Sequence, residues 1–350
     1  MPARAGHAMP RDARGRTLPR PYLLFLGDIT VEAYAKTAAG LRDWAREACV
    51  GEYRLPGCKV STGLPELDPA QARARGARSL VIGVATPGGA IPAHWLPALL
   101  GAMEAGLDLV GGMHSRLADV EELRVAAQRL GRGLHDVRVP PAGIPVASGR
   151  RRTGRRLLTV GTDCAVGKKY TALALARAFR GRGIDADFRA SGQTGILISG
   201  TGMPMDAVAA DFCAGAAELL SPDADAAHWD VIEGQGSLLH PAYAGVSLAL
   251  LHGSQPDVFV VCHQPGRGYM LGFPGHAVPA IEEIIELTRA LGRRTNPGIR
   301  CAGVSLNTRG MDAEAARRAC EAVAARLGLP AADPMRGGPA FEALVEACLA

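Results

Sequence analysis

Lysine is almost absent from this chain: of 39 Lys and Arg side chains only four are lysine, Lys36, Lys59, Lys168 and Lys169. The bias towards arginine follows genome composition, yet two of the four lysines stand side by side in one glycine-containing loop. Aromatic residues are scarce at 5%. The core must therefore be built from closely packed aliphatic side chains, as in layered α/β folds. Cysteine pairing is missing as well. The eight cysteines, Cys49, Cys58, Cys164, Cys213, Cys262, Cys301, Cys320 and Cys348, are scattered with no CxxC pair, which points to a reducing compartment. No metal site is expected. No apolar h-region opens the chain, and no window is long and apolar enough to span a membrane. The expected location is cytoplasmic, with no membrane partner. Helix-turn-helix, zinc-finger and RNP signatures are lacking, so nucleic acid is not an expected partner either.

What is present fits a globular protein: 350 residues, 48% apolar and 21% charged, enough for two domains. The formal charge of +5 is uneven. Five arginines fall within residues 1–20 and five more within Gly149–Arg156. Residues 1–20 read as a basic disordered tail.

Apolar runs at Pro21–Gly27, Ser79–Ala85, Leu107–Val110 and Asp136–Val139 read as strands. Helical spacing covers Val31–Cys49, Ala93–Ala105 and Ala118–Leu130. Alternation of this kind implies parallel βαβ units. Residues 21–145 are thus expected to form a Rossmann-like N-terminal domain. Residues 146–156, rich in Pro, Gly and Arg, read as a linker. The alternation restarts in residues 157–350, with strands at Leu157–Val160, Ala186–Ala190, Trp229–Ile232, Asp257–Cys262 and Arg300–Leu306. Helices are expected over Lys168–Arg180, Asp206–Leu220, Val278–Leu291, Asp312–Leu327 and Phe341–Leu349. The fold class is α/β, a Rossmann-like domain followed by a P-loop NTPase-like parallel-sheet domain.

The strongest motif is LLTVGTDCAVGKKYTALALARAF, residues 157–179. A strand runs into a glycine-containing loop, then Gly-Lys, then a helix. That order makes an anion nest at a helix N-terminus, with the lysine reaching the phosphates. An ordinary strand–turn–helix with a surface lysine is the bland alternative. The ligand contacts are expected from Gly161, Thr162, Asp163, Cys164, Ala165, Val166, Gly167, Lys168, Lys169, Tyr170 and Thr171. Two features depart from the usual pattern. Gly161 lies one place early, and Lys169 stands where a Ser or Thr normally coordinates Mg²⁺. A second ammonium there repels a metal and attracts phosphate charge. The loop therefore suits a ligand whose phosphates are a handle, such as coenzyme A, and disfavours ATP with Mg²⁺.

Further motifs follow at strand ends. DVIEGQGSLLHP, residues 230–241, delivers Glu233 towards the phosphate site, with Gly234 and Gly236 offering bare backbone to a substrate. A turn-capping carboxylate is the alternative. FVVCHQPGRGYMLG, residues 259–272, delivers His263, a candidate general base, and Arg267, a candidate carboxylate grip. A lone histidine is as readily structural. GVSLNTRG, residues 303–310, ends in Asn307, where P-loop proteins often place a base-reading Asn. The Gly/Ser/Thr-rich stretch 188–212 reads as a long loop that offers Gln193 and Thr194 as substrate contacts.

GTDCAVGKKYTA, ASGQTGILISGTGMPMDAVAADFCAGAAE and VIEGQGSLLHPAYAGVSLALLHGSQPDVFVVCHQPGR together resemble the DgcN-type D-glutamate N-acetyltransferase family, formerly a domain family of unknown function. The likeness runs from about Leu157 to the C-terminus. It extends into the first domain through AKTAAGL, GVATPGG and GLDLVGGMH. It implies a P-loop domain related to dethiobiotin synthetase, visible in GTDCAVGK and IEGQG. It also implies acetyl transfer from acetyl-CoA to the amine of D-glutamate. Such chemistry needs a base and a grip on the thioester oxygen. Glu233 or His263 is the candidate base, and Lys168 or loop N–H groups hold the oxyanion or the phosphates. Lys169, Arg189 and Arg267 are the cations available to a dicarboxylic acceptor. A small-molecule substrate and a homo-oligomer are expected. Two other readings share the loop: an ATP-dependent ligase of the dethiobiotin synthetase type, which would want a hydroxyl at Lys169, and a MinD-like nucleotide-switched binding protein.

Overall fold

The computed structural model describes residues 18–85 and 87–350. Most of the basic tail, residues 1–17, lies outside the described residues. Its last three residues are packed: Leu18 is fully buried, and Arg20 Nη2 donates to the Leu197 carbonyl at 2.8 Å. The chain divides into two compact units, residues 18–142 with 192–207, and residues 143–191 with 208–350.

The first unit carries five parallel strands, β1 (Tyr22–Gly27), β2 (Cys49–Arg54), β3 (Ser79–Ile82), β4 (Asp108–Gly111) and β5 (Leu134–Asp136). Their order is β2-β1-β3-β4-β5. All six residues of β1 are buried, as a central parallel strand covered on both faces requires. The helices are α1 (Lys36–Trp44), α2 (Pro69–Ala74), α3 (Leu96–Glu104) and α4 (Glu121–Leu130). The helix expected over Val31–Cys49 is shorter, and β2 was not expected at all. The apolar spacing continues through Ala45 and Ala48, but the backbone leaves helical geometry at Ala45, with φ −145° and ψ 41°, and Gly51 lets β2 lie against Pro65, whose carbonyl would stand 2.5 Å from an added Cβ.

The second unit holds β6 (Arg155–Gly161), α5 (Lys168–Gly181) and β7 (Ala186–Arg189). The chain then forms α6 (Gln193–Ser199), which belongs to the first unit. Next come α7 (Ala210–Leu220), β8 (Trp229–Ile232), α8 (Ala244–Ser254), β9 (Val258–His263) and a hairpin of β10 (Tyr269–Met270) with β11 (Phe273–Ala277). The unit ends with α9 (Ile281–Gly292), β12 (Arg300–Leu306), α10 (Ala313–Leu327), β13 (Ala331–Ala332) and α11 (Gly338–Leu349). Its parallel sheet has the order β13-β12-β9-β6-β8-β7. The strands alternate with helices as the pattern implies. Among the described residues no helix is long and apolar enough to cross a membrane.

Three helices, α2, α6 and α8, were not expected from the sequence, the last two for opposite reasons. α8 has no polar face to give it a period, and it packs tightly on α7, with Gly253 so close that a Cβ would lie 2.1 Å from the Ala214 carbonyl. α6 lies in the stretch whose glycines predict a loop, yet its Ile196 and Leu197 are fully buried.

The arginine run has a structural task. Arg156 is fully buried at the start of β6. Its Nε donates to Ser221 Oγ at 2.6 Å and its Nη2 to the Thr153 and Pro222 carbonyls at 2.7 and 3.1 Å. Arg152 donates to the Ser221 and Gly253 carbonyls, each at 2.7 Å. These residues hold the loops at the amino edge of the sheet. Arg156→Met strands those acceptors, and a loss of roughly 3 kcal/mol or more is expected. Thermal unfolding followed by circular dichroism should show a midpoint lower by about 6 °C or more.

Candidate active site

β6 carries the chain to Gly161 in mid-sheet, and α5 begins at Lys168. Between them Ala165 and Gly167 have positive φ of 55° and 110°, which turns successive backbone N–H groups inward as an anion nest needs. Only glycine holds the second of these values without strain. Among the described residues no side chain caps the N-terminus of α5, the end of a helix that favours an anion. Asn307, at the end of β12, borders this turn: a Cβ on Gly167 would lie 3.8 Å from its own.

Lys168 is 6% exposed. Its ammonium donates to the Asp163 carbonyl at 2.7 Å. Its stem runs beside Gly234, where an added Cβ would be 3.1 Å from Cδ. Burial pushes the Lys168 amine below its ordinary range. A charge held in such a place is costly unless an anion compensates it.

The loop is braced from within. The Asp163 carboxylate is fully buried. It accepts from Cys164 N–H at 2.6 Å, from Leu271 N–H at 2.9 Å and from Arg267 Nη1 at 2.6 Å. Arg267 also reaches the Cys164 carbonyl at 2.7 Å and Gln264 Oε1. Arg267 was expected to grip a substrate carboxylate; here its guanidinium clasps the loop instead. Thr162 Oγ1 lies 3.0 Å from His263 Nδ1. Burial pushes the His263 imidazole below its usual range, with Arg326 and Arg267 adding to the effect. Glu233, 6% exposed, accepts the Ser191 N–H at 3.0 Å.

Lys168, His263, Glu233, Asn307 and Arg267 are therefore gathered by the carboxyl ends of β6, β8, β9 and β12. Other expected contacts fall elsewhere. Thr171 turns inward: its hydroxyl pairs with Ser305 Oγ at 2.7 Å and donates to the Gly167 carbonyl at 3.1 Å. It is thus no substitute for the hydroxyl that Lys169 replaces. Lys169 is half-buried, with its ammonium 5.3 Å from the Tyr170 ring centroid. Val166 is buried against Gly161, so it can offer a ligand only its backbone. Arg189 Nε is taken by the buried Asp230 at 2.5 Å. Gln193 and Thr194 stand in the first unit, Gln193 filling the space beside Gly112 and Thr194 paired with Thr37 Oγ1 at 2.9 Å. Gly234 and Gly236 are crowded by protein, not open to substrate: Cβ atoms there would meet the Thr159 carbonyl at 1.6 Å and Tyr243 Cβ at 2.7 Å.

Sequence reading passed over His240, in the SLLHP stretch after the IEGQG turn. It is 1% exposed, and its Nε2 lies 3.6 Å from Asp163 Oδ1. Among the described residues, Asp163, Cys164 and His240 are the one trio with donor atoms close enough for a metal ion. The hydrogen bonding argues against a metal. His240 Nδ1 accepts the Ala242 N–H at 3.1 Å, so the ring proton sits on Nε2, the atom that would have to ligate. Lys168 and Arg267 also crowd Asp163 with positive charge.

Comparison with known proteins matches both halves. Residues 145–345 fit the P-loop domain described as a domain of unknown function, DUF1611_C. Residues 53–140 fit its Rossmann-like companion, DUF1611_N. A protein of Tritonibacter scottomollicae named D-glutamate N-acetyltransferase is 50% identical over 318 residues, covering 91% of this chain and 96% of its own. One of the same name from Pseudoalteromonas is 48% identical with the same coverage. The crystal structure of a DUF1611 family protein from Anabaena variabilis superposes with a TM-score of 0.84 at 33% identity, covering 95% of this chain and 99% of that one. With both domains matched in order and half of 318 aligned residues identical in a relative covered to 96%, the chain belongs to the DUF1611 family.

Proposed function

We propose that this protein transfers an acetyl group from acetyl-CoA to the amine of D-glutamate. The carrying observation is the phosphate loop: a buried lysine ammonium at a nest of N–H groups, with Lys169 in the metal-binding hydroxyl's place. Such a loop grips a diphosphate and gives little to Mg²⁺. The names of the two half-identical relatives support the acceptor and the reaction.

The transfer requires an uncharged amine to attack the thioester carbonyl. The amine sheds a proton to a base, and the tetrahedral oxyanion collapses with loss of the coenzyme A thiolate. His263 suits the base. Its imidazole, held below the usual range by burial, stays neutral and able to accept a proton at pH 7. The sign sets the pH profile: kcat/KM should stay level as the pH falls through about 6.5, the ordinary histidine value, and drop only in more acid solution. His263→Ala should cost roughly 10²–10⁴-fold and remove that acid limb. Glu233→Gln separates the two candidate bases. A fall of less than about tenfold leaves Glu233 as the anchor of Ser191 and no more.

The direct test is thiol release from acetyl-CoA with D-glutamate, L-glutamate and no acceptor. Release with D-glutamate alone supports the reading; none with either isomer sinks it. The same reading places the enzyme in the cytoplasm, where its cysteines, all free among the described residues, stay reduced. It also expects a homo-oligomer, to be read by light scattering.

A further inference from the structure

One buried polar group beside the loop has no part in the roles above. His240 lies on the turn between β8 and α8 and is 1% exposed. Because Nδ1 accepts the Ala242 N–H at 3.1 Å, the neutral ring carries its proton on Nε2. Burial keeps the ring neutral by pushing its pKa below the usual range. Among the described residues Nε2 has no hydrogen-bond partner. Asp163 Oδ1, at 3.6 Å, is beyond hydrogen-bond reach, and its carboxylate already takes two backbone N–H groups and Arg267. The ring is held in place by Tyr243, tilted over it at 4.6 Å, and by Phe273, edge-on at 4.9 Å. A fixed, proton-bearing donor without an acceptor is rare in a protein interior and calls for an explanation.

We infer that His240 belongs to the ligand site, its Nε2–H donating to a negatively charged oxygen of the molecule held by the phosphate loop. The inference rests on the reading that this molecule is an acyl-CoA. Two kinds of oxygen there qualify: those of the diphosphate, and the thioester carbonyl oxygen once the amine attacks. Phe273 of the β10–β11 hairpin is part of the cover over the ring, and the Leu271 N–H ties that hairpin to Asp163.

His240→Phe keeps a ring between Tyr243 and Phe273 and removes the donor. His240→Asn keeps an acceptor for the Ala242 N–H and also removes the Nε2 donor. His240→Gln returns an N–H near the Nε2 position. Steady-state kinetics with acetyl-CoA and D-glutamate, with acetyl-CoA binding by calorimetry, read the result. A thioester contact predicts a kcat lower by roughly 10²–10³-fold in His240→Phe with little change in acetyl-CoA affinity. A diphosphate contact predicts acetyl-CoA affinity weaker by about tenfold or more with kcat kept. In either case His240→Gln recovers part of the loss. Wild-type kcat and affinity in folded His240→Phe, or in His240→Asn if the first variant does not fold, overturn the inference. No transfer by the wild-type protein sinks the parent reading, whereas an active wild type with an equally active His240→Phe sinks this inference alone.

Discussion

Lys168→Met should lose at least about 100-fold in acetyl transfer while unfolding at the same temperature as the wild type or higher. The two halves of this result have one cause. Lys168 is 6% exposed, and among the described residues its ammonium donates to one carbonyl, that of Asp163. Burial lowers its pKa. Below the ordinary lysine pKa the unfolded chain therefore binds a proton more readily than the folded one, and at pH 7 the charge weakens the fold. Methionine has nearly the same length and no charge, so it removes that penalty and keeps the packing along Gly234. A lysine kept at a cost to stability is a mark of function. A variant that both unfolds early and stays active would make Lys168 a structural residue. The check is a melting curve beside a thiol-release assay on one preparation.

Gly234→Ala is the second large effect, and it acts through the fold. A Cβ would lie 1.6 Å from the Thr159 carbonyl and 3.1 Å from Lys168 Cδ. The Gly234 N–H also donates to Thr159 Oγ1 at 3.0 Å. The methyl group forces the ends of β6 and β8 apart and displaces the lysine stem. The expected cost is at or above the ~3 kcal/mol upper end for overpacking, a fall of roughly 6–12 °C in midpoint, with activity lost in the protein that remains folded. Gly245→Ala on α8, where an added Cβ meets nothing, should leave both stability and turnover near wild type.

The backbone of this site was legible because periodicity and loop chemistry agree there. LLTV, Gly-Lys and the aliphatic run after it can be little other than strand, nest and helix. The strand ends at Glu233, His263 and Asn307 follow from the same alternation. What the sequence hid was where side chains turn. Arg267 and Arg189 look alike as free cations, but buried Asp163 and Asp230 claim them, and neither pairing shows in spacing. Thr171 stands two residues after Lys169, about half a turn further round α5, so it faces away from the ligand side and joins Ser305 in the interior. Gln193 and Thr194 sit in a helix whose apolar face serves the first unit, a destination that local pattern cannot reveal. His240 follows a glycine-rich turn with no period, so nothing marked it as buried.

The most direct test of the central claim is calorimetry of the purified protein with acetyl-CoA and, separately, with ATP and Mg²⁺, repeated on Lys168→Met. Binding of acetyl-CoA that is lost in the variant, with ATP–Mg²⁺ bound weakly or not at all, is the expected result. Binding of ATP–Mg²⁺ without acetyl-CoA would contradict the acyltransferase reading and make the loop that of a nucleotide-hydrolysing or ligase enzyme.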